Sequence, residues 1–499
     1  MSSLLASRIF KVLSLDPQAD AIVAGDVVHP WRYISDMIDA ANALLDGSGE
    51  AGGCAVGLIM RNRAPCVAAL GAFIATDRCV VTLSPLFPDA MLADDIRALG
   101  LHALVAGHSD LERSGIMDAA KDAGVIVLEL DDDPNTPLRK TLERSPIRKA
   151  RSRPSIAIEM LSSGTTGTPK RIPLTYESLE SALCGDDARA KSRDSIVRLQ
   201  PRPALVWHPI VHISGAYFVI DALYSGRKII LLERFDPYAW ADAVEREEVR
   251  LAHLNPTAMR MLLEANVDSK QLSSLRVILG GTAATPPELQ LAFEDCFKIP
   301  ILTTYGATEF AGAIASWNLE DHRQFGRSHL GASGRAHEGV ELRIVDPLTG
   351  EELAVGEEGV LEVRTSQTQL GSTTWVRTTD LAIIDNEGFL WIKGRVDDAI
   401  VRGGFKVQPN KVQSALEEHP GVREAAVVGV PDERLGAVPV AVVTLHSEAK
   451  ETSVNELLDF VREYLAPYEV PSALLIVDEI PRTPSMKVSR PAVRELFAK

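Results

Sequence analysis

Residues 55–107 read AVGLIMRNRAPCVAALGAFIATDRCVVTLSPLFPDAMLADDIRALGLHALVAG, and the apolar pattern changes period from one segment to the next. Ala55–Met60, Cys79–Pro85 and His102–Gly107 are short continuous apolar runs, as in strands buried on both faces. Ala64–Thr76 and Met91–Gly100 carry the longer period of helices. Strand, helix and strand in alternation predict parallel strands covered by crossover helices, the α/β class.

Working outward, the same grammar resumes at Lys228–Glu233, at Arg250–Pro256 and at Leu275–Phe297, each a strand leading into a turn and then a helix. Beyond Gly339 it changes to short strands separated by Gly turns (VELRIVDPLTGEEL, GVLEVRTS, GFLWIKGR), a small β-barrel-like subdomain. The remainder mixes helical VQPNKVQSALEEHP and SVNELLDFVREYL with strands EAAVVGVP and VPVAVVTL, a separate α+β unit. We therefore expect a large N-terminal domain of stacked α/β subdomains over 1–394 and a small mobile α+β domain over 395–499, divided near Gly394–Asp398. The polar, Pro-punctuated stretch 131–155 reads as a long surface connection.

Composition narrows the function classes. The 499 residues are 46% hydrophobic and 24% charged, and no run of about 18 uncharged apolar residues could span a bilayer. A net charge of −16 repels polyanions, which disfavours nucleic acid as a main partner. The five cysteines form no C-x-x-C pair and are odd in number, the pattern of free thiols in a reducing cytoplasm. The Ser-rich opening with Arg8 and Lys11 could be a presequence, but Leu4, Leu5, Ile9, Val12 and Leu13 share one helical face and predict a docked first helix.

Residues 161–170, LSSGTTGTPK, follow the strand-like Ile156–Met160 and hold an anion cradle in outline. Glycines let backbone N–H groups converge, hydroxyls add donors, and Lys170 adds charge. A P-loop requires Lys directly after the second Gly of its spacing; here Pro169 intervenes and removes an N–H. Alone, the stretch is an ordinary polar loop.

It has partners in order. PIVHISG (209–215), GGTAATPPEL (280–289), TTYGATE (303–309), WVRTTDLAIIDNEGFLWIKGRVDDAIVRGGFKV (375–407) and PRTPSMK (481–487) follow it. Together the six resemble the motif series of the adenylate-forming superfamily of acyl- and aryl-CoA ligases, nonribosomal adenylation domains and luciferases, and the resemblance extends over essentially the whole chain.

That resemblance implies ATP, Mg²⁺ and coenzyme A as cofactors and a small-molecule carboxylic acid as substrate, in a homodimer or monomer. It implies that Thr165, Thr166, Thr168 and Lys170 hold the β- and γ-phosphates. Glu309 would contact the metal, with Thr308 near the α-phosphate. Gly281, Thr282, Ala283, Thr304 and Tyr305 would line the adenine side, while Asp380 and Arg395 would hold the ribose. Lys487 would be the catalytic cation, Asp397 the hinge, and Gly403 and Gly404 the CoA tunnel. His212, Gly306 and Phe310 would line the acyl pocket.

WHPIVHISGAYF (207–218) offers no carboxylate for a substrate ammonium, and GATEFAGAIA (306–315) is small and mostly apolar, so a hydrophobic aryl, alicyclic or medium-chain acid is expected. The resemblance implies an acid–thiol ligase that forms acyl-AMP and passes the acyl group to CoA, with domain alternation. The alternatives are an acyl-AMP ligase serving a separate carrier protein and a non-catalytic nucleotide-binding protein. Four departures stand out: a shortened segment before Trp375, Met486 and Thr379 at usual glycine positions, and Leu435 where an aromatic face could meet CoA adenine.

Overall fold

The helix Ala64–Ala75 is buried along its entire length because it is apolar on every side, the composition of a helix covered on all faces. Its Gly71 lets Leu223 approach: a Cβ there would stand 2.8 Å from Leu223 Cδ1. The structure, a computed structural model, describes residues 3–45, 53–133, 136–143, 150–161, 170–184, 197–396, 398–403, 405–483 and 486–498.

Three sheets build the N-terminal part. The first runs Leu138–Leu142, Ile126–Leu130, Ala103–Gly107, Ala55–Ile59, Cys79–Leu83, Ile156–Leu161, Arg171–Thr175, with five parallel strands between two antiparallel edges. Its central strands Ala55–Ile59 and Cys79–Leu83 are buried at every position, as their continuous apolar runs predict. The second sheet orders Gln200–Val206, Arg227–Leu231, Asp20–Ala24 and Val27–Pro30. The third orders Leu251–Leu254, Val277–Gly280, Ile301–Ala307, Gly312–Ser316 and Arg335–Ala336, parallel through its first three strands.

A four-stranded antiparallel meander follows, Glu341–Val345 to Leu390–Arg395. From Ile400 the chain forms its own sheet around the long hairpin Val422–Asp432/Gly436–Leu445, with helices Pro409–Glu417 and Val454–Arg462 sharing its core. Ser453 and Glu456 close a capping box at the start of the latter helix.

The helix Leu4–Leu13 docks as its periodicity predicts, burying Leu5, Ile9, Val12 and Leu13, with Ser3 accepting from Ala6 N. The polar stretch 131–155 is not all connection: Leu138–Leu142 adds an edge strand to the first sheet, its Leu138 buried beneath exposed Arg139 and Lys140. One apolar side chain amid charges is enough for an edge strand, and periodicity over five residues is too short to reveal it. All five cysteines are free, and no helix among the described residues is long and apolar enough to cross a membrane.

Candidate active site

Leu161 and Arg171 pair across an antiparallel hairpin, so the polar loop begins and ends at one point on the edge of the first sheet. In a P-loop the chain continues into a helix whose N-terminus meets the phosphate; here it returns as the strand Arg171–Thr175. Lys170 is exposed at the end of the loop, whereas Arg171 is engaged by Asp95 at 2.5 Å and the Thr82 carbonyl at 3.2 Å. Thr165, Thr166 and Thr168 lie outside the described residues.

Beside that strand, Ile301–Ala307 runs into the 3-10 turn Thr308–Phe310. Gly306 has no alternative: a Cβ would stand 2.1 Å from the Gly312 carbonyl oxygen, because the next strand folds back against it. Thr308 is half-buried, and Glu309 is exposed with no cation paired to it among the described residues. Phe310, expected in the acyl pocket, is 1% exposed and packs with Ile314, Val340, Leu361 and Leu390. This is a correction: successive side chains of a 3-10 turn point about 120° apart, so exposed Glu309 and buried Phe310 leave it on different sides.

The Gly281–Ala283 segment is an open turn with Thr282 in the left-handed region at φ +67°. A Cβ on Gly281 would stand 2.8 Å from Thr304 Oγ1, which donates to the Gly280 carbonyl at 3.1 Å. Next to it, Tyr305 OH donates to Asp380 Oδ2 at 2.5 Å. Burial, then the Asp380 charge, raise the Tyr305 pKa well above the phenol range. Asp380 stands opposite Arg395 across the meander, and Arg395 Nη2 donates to Thr379 Oγ1 at 2.5 Å. Thr379, a departure by sequence, therefore aims the guanidinium.

The PIVHISG segment is held by a residue far away in sequence. Buried Asn62 donates from Nδ2 to the carbonyls of Trp207, His208 and Leu232 at 3.0–3.1 Å and accepts from Ile210 N at 2.9 Å. Gly215 lets the helix Ile213–Ser225 start against this loop, since a Cβ would stand 2.4 Å from the Pro209 carbonyl oxygen. The loop presents His212 as the helix N-cap residue, with Trp207 stacked on His208 at 3.9 Å between ring centroids and Phe218 against His253 at 3.6 Å, those two rings tilted by 39°.

Burial, then the nearby Lys487 ammonium, push the His208 pKa down to about 3 and that of His212 to about 4. Burial, then His208, push His253 well below the usual imidazole value. All three are neutral at pH 7, leaving Lys487 as the charge this wall faces. Lys487 keeps much of its surface open, yet protein crowds it from several sides, as for a side chain reaching into a cleft. Desolvation there, then Arg395, lower its pKa. Lys487, Arg395, Tyr305 and Asp380 are thus brought together with His212.

Gly403 is in the left-handed region at φ +58°, and its N–H donates to the Leu435 carbonyl at 2.7 Å. Asp397 and Gly404 lie outside the described residues. Sequence reasoning missed Asn62, His208 and His253. His208 adjoins a motif and could have been weighed with it; Asn62 carries no local signal at all.

The profile of the AMP-binding enzyme family matches residues 13–372, and that of the AMP-binding enzyme C-terminal domain matches 411–487. The chain is 30% identical over 352 residues to the 2-succinylbenzoate–CoA ligase of Bacillus subtilis, covering 67% of this chain and 68% of that one. It is 32% identical over 354 residues to the indoleacetate–CoA ligase of Aromatoleum aromaticum, covering 68% and 66%. The crystal structure of ATP-bound MatB from Rhodopseudomonas palustris superposes with a TM-score of 0.82 at 25% identity, over 100% of this chain and 99% of that one. The chain belongs to the AMP-binding enzyme family, among the adenylate-forming acyl- and aryl-CoA ligases, which are AMP-forming acid–thiol ligases.

Proposed function

We propose that this enzyme activates a hydrophobic carboxylic acid as its acyl-adenylate and transfers the acyl group to coenzyme A. A carboxylate resists nucleophiles because its oxygens are anionic and oxide is a poor leaving group. In the first half-reaction the carboxylate oxygen attacks the α-phosphorus of ATP, pyrophosphate leaves, and AMP becomes the leaving group. In the second, the CoA thiol loses its proton and its sulfur displaces AMP, giving the thioester.

The observation that carries this reading is the convergence of Lys487, from the C-terminal unit, with the Tyr305–Asp380–Arg395 corner and the neutral histidine wall. Arg395 acts electrostatically on both Tyr305 and Lys487, and Lys487 on His208 and His212. In this reading Asp380 accepts the ribose hydroxyls, Tyr305 stacks on adenine beside Gly281–Ala283 and Thr304, and Arg395 attends the ribose or phosphate. Lys487 bridges carboxylate and phosphate oxygens as charge shifts between them. Thr165, Thr166, Thr168 and Lys170 clamp the outgoing pyrophosphate, with Thr308 near the α-phosphate.

Glu309 fits a divalent ion, being an exposed carboxylate with no protein cation opposite it among the described residues, on a turn beside the strand that leaves the phosphate loop. Mg²⁺ held there would screen phosphate charge as the carboxylate approaches. Half-buried Phe218 against the neutral His208 and His253 imidazoles favours an aryl or alicyclic acid tail, with His212 and Gly306 bordering it. For the second half-reaction the small domain turns about Asp397, and Gly403 and Gly404 leave room for pantetheine.

The test is pyrophosphate release with benzoate, indole-3-acetate, 2-succinylbenzoate, cyclohexanecarboxylate and hexanoate, each with and without CoA. At least one acid should release pyrophosphate and, with CoA, yield a thioester. Pyrophosphate release without any thioester would point instead to a carrier-protein acceptor, and AMP binding without turnover to a non-catalytic protein.

A pH dependence follows from the lowered Lys487 pKa. The charged form is the one that can bridge anionic oxygens, so kcat/KM for adenylation should fall on the alkaline side with an apparent pKa below the ordinary lysine value of 10.5. Lys487→Arg, which stays protonated, should lose that limb whatever its absolute rate. Pyrophosphate release measured across neutral to alkaline pH checks both; a wild-type limb at or above 10.5 would contradict the crowded cleft.

A further inference from the structure

The helix Pro256–Glu264 belongs to the N-terminal part, where Asn255 caps it and Met259 and Leu262 sit in the core of the third sheet. Thr257, Arg260 and Glu264 are spaced so that they share its opposite face. Each meets the C-terminal unit. Thr257 Oγ1 accepts from Arg482 Nη1 at 2.8 Å. Arg260 reaches Glu424 at 3.3 Å and Glu417 at 3.7 Å, and Glu264 pairs with Arg423 at 2.7 Å. Arg482, Arg260, Glu417 and Glu424 are all largely shielded from solvent, so this is not a scatter of surface ion pairs.

The same contacts grip the turn that carries Lys487. Arg482 pairs with Glu424 through Nη2 and donates from Nη1 to the Met486 carbonyl at 2.9 Å. Thr483 and Met486 close the turn, with Thr483 N donating to the Lys487 carbonyl at 2.7 Å and Met486 N to the Thr483 carbonyl at 2.8 Å. Met486 has φ +64°, a conformation that disfavours side chains, and its side chain packs against the N-terminal core cluster containing Met259 and Leu262. A glycine there would adopt the turn without strain but would lack that anchor.

We infer that Arg260, Arg482 and Met486 are positioning residues that latch the C-terminal unit to the Pro256–Glu264 helix and so hold Lys487 in the adenylating pose. The inference rests on the proposed role of Lys487. Breaking the latch should slow adenylation while leaving the second half-reaction, which needs the domain to leave, equal or faster.

The experiment measures the two half-reactions separately with the best acid of the panel above: pyrophosphate release without CoA, and thioester formation from supplied acyl-AMP and CoA. Arg260→Ala removes the ion pairs to Glu417 and Glu424 while leaving every residue of the Lys487 turn in place. It should slow pyrophosphate release about tenfold, between the cost of losing an exposed and a fully buried ion pair, with thioester formation undiminished. Arg260→Lys should recover part of the loss. Arg482→Ala and Met486→Ala should act in the same direction.

Amide exchange of the unliganded protein supplies a readout that needs no substrate: residues 257–264 and 482–483 should exchange faster in Arg260→Ala than in the wild type. Unchanged exchange, or equal loss of both half-reactions with a lowered Tm, would overturn the latch. So would unchanged pyrophosphate release in Arg260→Ala while Lys487→Ala loses it. If Lys487→Ala itself keeps full adenylation, the catalytic reading of Lys487 falls, a different failure from that of the latch.

Discussion

Lys487→Ala is expected to lower acid-dependent pyrophosphate release by about a hundredfold to a thousandfold, the usual cost of removing one preorganised charge from a transition state. It should leave thioester formation from supplied acyl-AMP within about twofold of wild type, since an interaction made only in one transition state affects only that step. The asymmetry has a structural basis. Lys487 reaches the cleft on a turn of the C-terminal unit, next to a wall whose His208 and His212 are uncharged at neutral pH. Among these side chains the lysine is the cation, so in its proposed role no imidazolium would replace it. Single-turnover measurement of each half-reaction checks the split, and equal loss of both would contradict it.

Asp380→Ala should lower kcat/KM for ATP by about a hundredfold or more, with a much smaller change in KM for the acid. A carboxylate that accepts two hydroxyl hydrogen bonds contributes about 1.5–3 kcal/mol for each. The variant also releases Tyr305, whose hydroxyl donates to Asp380. Burial is the first cause of the raised Tyr305 pKa and the Asp380 charge the second, so ultraviolet titration should show Tyr305 ionising at lower pH in the variant while staying above the free phenol. Tyr305→Phe keeps the ring for stacking and should affect ATP far less than Asp380→Ala. An unchanged KM for ATP in Asp380→Ala would exclude this carboxylate from nucleotide binding.

Much of the fold was legible because its signals are local. The apolar runs at 55–60, 79–85 and 102–107 are short, continuous and separated by helix-period segments, which suits strands buried on both faces, and the structure pairs all three in parallel. The docked first helix was legible from five side chains on one face. The edge strand Leu138–Leu142 was not, since its single buried leucine gives no period. Phe310 shows the same limit at the site: the motif located the turn, but which way an aromatic ring leaves a 3-10 turn depends on the core of the meander, and that core takes it.

The sequence by itself determined the α/β class, the order of the six motifs and the free thiols, each of which depends on residue type and spacing along the chain. Tertiary structure alone decided that Asn62 holds the 207–210 loop, that Thr379 aims Arg395, and that Met486 anchors the turn before Lys487. These contacts join residues far apart along the chain, 16 positions for Thr379 and Arg395 and 148 for Asn62 and Ile210, through residue types that are common everywhere in it. Only folding sets their distances, and for Coulombic and hydrogen-bonding groups distance and burial decide what a residue does.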